Sequence, residues 1–255
     1  MKGLSTFSIT ALLVLSLSSI ASGSSRKDSP PNIIFVFADD MGFGDLGCYG
    51  NPKIRTPHLD KMASEGILFT NFTVGSPVCS PSRAAVMTGQ YPARHQIHYA
   101  LGGDEHNRNF HMPNYLDPRN HTLTRILQKA GYTTAHFGKW HLGKTEDSPL
   151  VHDYGIEVVK IHTGSVLDES EYCYTGVEQA DKTKVLIDIT IDFVEKHKDE
   201  PFYINCWITD PHSPLKPNQE QRDEYPELRS RAVSGYPSLS DGRAPSPKTG
   251  WMTKA

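Results

Sequence analysis

The run Asn32-Ile33-Ile34-Phe35-Val36-Phe37-Ala38 limits what this chain can fold into more than any other segment. Its β-branched and aromatic residues follow one another without the polar alternation of a half-exposed strand, so it reads as a strand buried on both faces. Such strands belong to parallel sheets that helices cover on both sides. The run ends in Asp39-Asp40, followed by the turn Gly42-Phe43-Gly44. Two adjacent carboxylates at the carboxyl end of a central strand fall where open α/β sheets place their ligands.

The same alternation recurs downstream. Thr56 and Pro57 fit the N-cap and first position of a short helix through Leu59, Met62 and Ala63, closed by Gly66. Residues 67–72 then read as a second strand. A helix from about Leu123 to Ala130, stopped by Gly131, leads into the strand-like residues 132–137. Between 183 and 197, Val185, Leu186, Ile189, Phe193 and Val194 recur at helical spacing; Pro201 ends that element, and residues 202–208 read as another buried strand. The sequence therefore predicts an α/β fold, a mainly parallel sheet flanked by helices. A domain over residues 30–227 fits the chain length, at roughly 150 residues per domain as a prior. Apolar periodicity fades from Pro211 onward, and residues 228–255 read as a poorly ordered tail.

Lys2, the apolar stretch from Ile9 to Leu17 and the small residues Ala21-Ser22-Gly23 make residues 1–23 a signal peptide. The apolar run is shorter than the roughly 20 residues that a bilayer span needs. The expectation is a secretory-pathway protein without a membrane span, extracellular or lysosomal. The sequons at Asn71 and Asn120 fit that route. Lys and Arg number 26 against 29 Asp and Glu, so no basic field points to nucleic acid or anionic lipid. Cys48, Cys79, Cys173 and Cys206 form an even set that an oxidising compartment would pair into two disulfides. Their sparse spacing argues otherwise, and no Cys-x-x-Cys suggests zinc.

Cys79-Ser80-Pro81-Ser82-Arg83, continued by Ala84-Ala85-Val86-Met87-Thr88-Gly89, is the strongest local signal. It resembles the signature of type I sulfatases, whose cysteine is oxidised to formylglycine by a dedicated formylglycine-generating enzyme. Asp39-Asp40, Gly138-Lys139-Trp140-His141-Leu142-Gly143 and Asp210-Pro211-His212-Ser213-Pro214 join it in the family's order. The motif surroundings are similar to the arylsulfatase and N-acetylgalactosamine-6-sulfatase branch. The resemblance implies an alkaline-phosphatase-like fold and hydrolysis of sulfated carbohydrates or aryl sulfates.

The chemistry accounts for these residue types. A sulfate monoester is an anion, so an approaching nucleophile needs its charge offset and the leaving oxygen needs a proton or a positive partner. A hydrated aldehyde offers one hydroxyl to attack sulfur and a second to discharge the intermediate, which a serine or thiol lacks. By resemblance, Asp39 and Asp40 are ligands of a calcium ion that also touches the formylglycine derived from Cys79; hard oxygen ligands suit calcium. Arg83 would hydrogen-bond the hydrate from the first turn of a helix. Lys139 would stabilise charge and His141 would orient or deprotonate the hydrate, the two facing the same way if their segment is extended. His212 would contact the sulfate and protonate the leaving oxygen. The other histidines, including His95, His98 and His136, read as surface or core residues, with the loop around His98 open as a substrate contact.

The family carries an Asp-Asn or Asp-His pair, a further lysine and a smaller carboxyl-terminal domain that find no match here. The expectation is a sheet incomplete at the carboxyl end and activity impaired by truncation. A secreted, non-catalytic binding protein derived from a sulfatase is the alternative from another class. Phosphatases and phosphodiesterases of the alkaline-phosphatase superfamily use Ser or Thr with zinc pairs, and the Cys79 signature speaks against them.

Overall fold

The computed structural model describes residues 30–226 apart from Leu167. The expected signal peptide and the expected tail lie outside the described residues. Four strands form one sheet: β1 (Ile33–Phe37), β2 (Thr133–Lys139), β3 (Val158–Thr163) and β4 (Phe202–Trp207). Their order is β1-β4-β2-β3 and every neighbouring pair is parallel. Among the described residues six α-helices accompany them: α1 (Pro57–Glu65), α2 (Cys79–Thr88), α3 (Asp104–Asn109), α4 (Leu123–Lys129), α5 (Lys182–His197) and α6 (Gln219–Asp223).

Alternate side chains of β4 point to opposite faces and seed two cores. Phe202, Ile204 and Cys206 join Ala135, Phe137, Leu186 and Phe193 under α5. Trp207 faces the other way, into a cluster with Ala84 and Met87 of α2, Trp140, Leu142 and Tyr154. The α4 start follows its sequence: Thr122 caps it, accepting from the Arg125 amide, while its hydroxyl donates to the Tyr154 carbonyl at 2.7 Å. Thr56 precedes α1 as expected but makes no cap; it accepts from Gly47 N at 2.8 Å and donates to Asp60 at 2.9 Å.

Residues 67–72 are not a strand. They run as irregular chain, with Ile67 83%, Phe69 63% and Phe72 73% exposed. β-Propensity expresses itself only against a partner strand, and among the described residues β1, at the edge of the sheet, pairs with β4 alone. Nor is the sheet covered on both faces along its whole width. Helix α5 lies over β2 and β4, leaving Ile34 and Val36 on β1 at 47% and 58% exposed. Strand β3, whose Val158-Val159-Lys160-Ile161 start carries β-branched residues, was not anticipated.

Gly138 marks the one irregularity in the ladder that matters for the site. Its φ is +102°, and the β2–β3 register shifts between Gly138 and Lys139. A bulge re-aims the side chain that follows it. A Cβ at Gly138 would sit 2.1 Å from the Trp207 carbonyl oxygen. Gly138→Ala is therefore expected to lower stability by about 3 kcal/mol or more in urea unfolding; a variant within about 1 kcal/mol of wild type would show that the bulge relaxes freely.

Candidate active site

The carboxyl ends of all four strands converge on two adjacent clefts. The first, about 340 Å³, is lined by Phe37 to Gly42 after β1, by residues 74 and 76–79 leading into α2, and by Ser82 and Arg83. Asp39, Asp40, Cys79 and Arg83 thus share one cavity. Cys79 is a free thiol, as are Cys48, Cys173 and Cys206, so no disulfide joins the four. Cys79 opens α2 directly after Val78, where unpaired helix N–H groups favour negative charge.

Both serines of the motif turn out to be structural. Ser80 Oγ accepts from the Leu101 amide at 2.9 Å, and the Ser82 hydroxyl donates to the Ser76 carbonyl. They fix the loops on either side of Cys79. Neither partner segment carries a sequence signal for that job.

Arg83 is 1% exposed. Its guanidinium lies over the rings of Trp207 (4.9 Å) and Phe37 (5.4 Å), donates from Nη1 to the Lys139 carbonyl at 3.0 Å, and from Nη2 to Asp39 Oδ1 at 3.0 Å. Lys139 Nζ donates to the other oxygen, Asp39 Oδ2. A single buried carboxylate thus sits between two buried cations. Burial pushes the Asp39 pKa up, but the Lys139 hydrogen bond and the charges of Arg83 and Lys139 outweigh it and hold the carboxyl below its usual range. Arg83 is held below its ordinary value by burial, against the pull of Asp39. Its two terminal nitrogens are committed to Asp39 and a carbonyl, while its buried Nε has no hydrogen-bond partner among the described residues.

Asp40 turns the other way. Its φ is +64°, a left-handed conformation uncommon outside glycine, and it leaves the side chain about half exposed, with Oδ2 3.7 Å from His212 Nε2. His212 Nδ1 lies 2.6 Å from the Ser213 carbonyl, which fixes the proton on Nδ1.

The second cleft, about 320 Å³, is lined by Lys139, His141, Lys144, His162, Thr163, Gln179, Lys182, Thr209, His212, Ser213 and Pro214. Lys139 and His141 do reach one cavity, but not by facing the same way on an extended segment. Strand β2 ends at Lys139, and His141 has φ +56°. His141 Nε2 lies 3.0 Å from the Leu101 carbonyl, so that nitrogen carries the proton, and buried Nδ1, without a partner among the described residues, keeps its lone pair. Burial, then the Lys139 charge, lowers its pKa to about 4. His136 is core: wedged edge-on against Trp140 and Trp207, it is lowered by burial to about 3. Trp207, His162, Lys144 and Lys182 also reach the site, and sequence reading missed them because only tertiary contact brings them there.

The donor set fits a hard cation in kind and falls short in number. Asp39 and Asp40 offer carboxylate oxygens at one cleft, but Asp39 spends both on Arg83 and Lys139. Calcium takes six to eight oxygens, and among the described residues no group of three or more His, Cys, Asp or Glu gathers as a metal site.

A family model described as Sulfatase matches residues 31–236. The chain is 42% identical over 147 residues to the N-acetylgalactosamine-6-sulfatase of Canis lupus familiaris, covering 56% of this chain and 28% of that protein. It is 47% identical over 116 residues to the steryl-sulfatase of Mus musculus, covering 45% and 18%. The matched stretch thus spans less than a third of either relative's length. A solved structure of a protein in complex with its substrate D-glucosamine-2-N,6-O-disulfate is 26% identical, with a TM-score of 0.57 over 82% of this chain and 39% of that one. A Bacteroides fragilis structure, 23% identical with a TM-score of 0.67 over 82% and 50%, shares the fold. That fold is the alkaline-phosphatase-like parallel sheet flanked by helices.

Two outcomes follow from the buried charges. Asp39→Asn leaves Arg83 and Lys139 without their counter-charge and should cost about 3–5 kcal/mol in denaturant unfolding; a loss under about 1 kcal/mol would mean that water compensates them. Acid should act in two stages. His141 and His136 titrate near 4 and 3 in the folded chain against about 6.5 unfolded, so the stability they contribute is complete above about pH 6.5 and falls as pH drops towards 4 and 3. Asp39, held low, adds its loss below about pH 3.9. The urea midpoint should decline from pH 6.5 to pH 5 while the His141 ring signals in NMR stay those of neutral imidazole; titration of that ring near its ordinary value would contradict the burial argument.

Proposed function

The chain belongs to the sulfatase family, and from that membership we propose that Cys79 is the precursor of the nucleophile of a sulfate-ester hydrolase. The observation that supports it is the shared cleft: Cys79 at the start of α2 opens onto the same cavity as Asp39 and Asp40, beside the Arg83 charge. Oxidised to formylglycine and hydrated, position 79 supplies a hydroxyl to displace the alcohol from sulfur and a second to release sulfate. Asp39 and Asp40 would hold the calcium ion, which supplies charge to offset the sulfate oxygens, with the remaining oxygens drawn from elsewhere.

The chain's own residues carry the proton and charge steps. His141, neutral and protonated on Nε2, accepts a proton at Nδ1 from a hydroxyl of the hydrate. Lys139 and Arg83, sharing the one Asp39 counter-charge, would keep a net positive charge near the nucleophile, buried where its field is little screened. His212, lining the second cleft, keeps its Nδ1 proton on the Ser213 carbonyl, so it would act as the imidazolium, giving the Nε2 proton to the leaving alkoxide, becoming neutral, and contacting the sulfate. Charge-lined walls suit an anionic substrate, and the N-acetylgalactosamine-6-sulfatase relatives favour a sulfated carbohydrate over an aryl sulfate.

The signal-peptide pattern of residues 1–23 supports passage through the endoplasmic reticulum, where the formylglycine-generating enzyme would act, towards an extracellular or lysosomal destination; among the described residues no helix is long and apolar enough to cross a membrane. Mass spectrometry of the peptide containing Ser76 to Arg83, from protein made in a secretory host, tests the assignment. An aldehyde in place of the thiol at position 79 is expected. An unmodified thiol in a host that converts other sulfatases would overturn it.

A further inference from the structure

The second cleft holds more positive charge than one sulfate needs. Besides Lys139, its walls carry the ammonium groups of Lys144 after β2 and Lys182 at the start of α5, beside the imidazoles of His141, His212 and His162 and the Thr163 hydroxyl at the end of β3. Burial, then the Lys182 and Lys139 charges, lowers the His162 pKa, so that ring serves as a hydrogen-bonding group. No acidic side chain lines it among the described residues. Lys182 is half-buried, its ammonium 5.3 Å from the centre of the Tyr174 ring, and the same ring packs against His162 at 5.3 Å. Neither Lys144 nor Lys182 forms an ion pair among the described residues. Asp210, the nearby carboxylate, accepts the Thr183 hydroxyl at 2.5 Å and lines the neighbouring cleft instead.

Holding like charges together without counter-charges is unfavourable unless an anion offsets them. Lys139 is already paired with Asp39; Lys144 and Lys182 are not paired. About 320 Å³ is room for a monosaccharide.

We propose that Lys144, His162 and Lys182 form a second anion subsite, so that the cleft selects sugars bearing a second sulfate or a carboxylate beside the group presented to position 79. The subsite rests on the reading of the neighbouring cavity as a sulfate-ester site. Lysines recognise sulfate as point charges with rotatable donors, and the Tyr174 ring holds the Lys182 ammonium in place by a cation–π contact.

Calorimetry separates the two ideas, using the full chain with its Cys79 thiol unconverted so that no ester is consumed. The probes are D-glucosamine-2-N,6-O-disulfate and D-glucosamine-6-O-sulfate. The disulfate should bind about tenfold more tightly, and Lys144→Met with Lys182→Met should bring the two within about twofold by weakening only the disulfate. Lys184→Met, on the exposed face of α5 where Lys184 pairs with Asp188, should change neither. A preference that survives the double variant, or that Lys184→Met removes as well, overturns the subsite and leaves the sulfatase reading standing. Binding of neither sugar to the wild-type chain also overturns the subsite, whereas the sulfatase reading stands or falls on the aldehyde at position 79.

Discussion

The Asp39 carboxylate, 4% exposed and gripped by Arg83 and Lys139, is the interaction on which the rest of the site depends. It ties the end of β1 to the first turns of α2 and to the end of β2. Buried charges are expensive to desolvate and hold only when each finds a partner in good geometry. Here the cost is offset by packing as well as by charge, since the Arg83 guanidinium is enclosed by the Phe37 and Trp207 rings. Those rings come from β1 and β4, whose register sets Phe37 opposite Trp207. Sheet register, aromatic packing and site electrostatics are therefore one problem with one solution.

Around that fixed point the backbone is bent where function needs side chains re-aimed. Asp40 and His141 both have left-handed φ values, and Gly138 carries the bulge that turns Lys139 inward. Such conformations persist when the surroundings over-determine them, and they cluster at sites of chemistry. The consequence is a division of labour. Asp39 faces the buried cations, while its neighbour Asp40 turns towards the open cleft and His212. His141, kept neutral by burial and by the Lys139 charge, retains a lone pair where an ordinary surface histidine would gain a proton in mild acid.

The sheet shows what local propensity leaves undecided. Residues 67–72 have strand-like composition and form no strand, because no neighbour among the described residues offers them a ladder. Strand β1 has the pattern of a strand buried on both faces, yet among the described residues one of its faces has no helix over it. Thr56 shows the same at the scale of one residue, as its hydroxyl serves Gly47 and Asp60 in place of the expected cap.

The amino-acid sequence by itself determined the α/β class, the positions of β1, β2, β4, α1, α4 and α5, and the short motifs that supply Asp39, Asp40, Cys79, Arg83, Lys139, His141 and His212. These are legible because hydrophobic period, helix stops and motif spacing are local properties. Tertiary structure alone decided which of those residues meet and how. It gave Asp39 two cations, turned Ser80 and Ser82 into braces for the loops beside Cys79, and carried His162, Lys144 and Lys182 into the second cleft. No local pattern marks a lysine at position 182 as a neighbour of one at position 139, because parallel crossovers bring distant chain segments to the same edge of the sheet, and only the completed fold defines that edge.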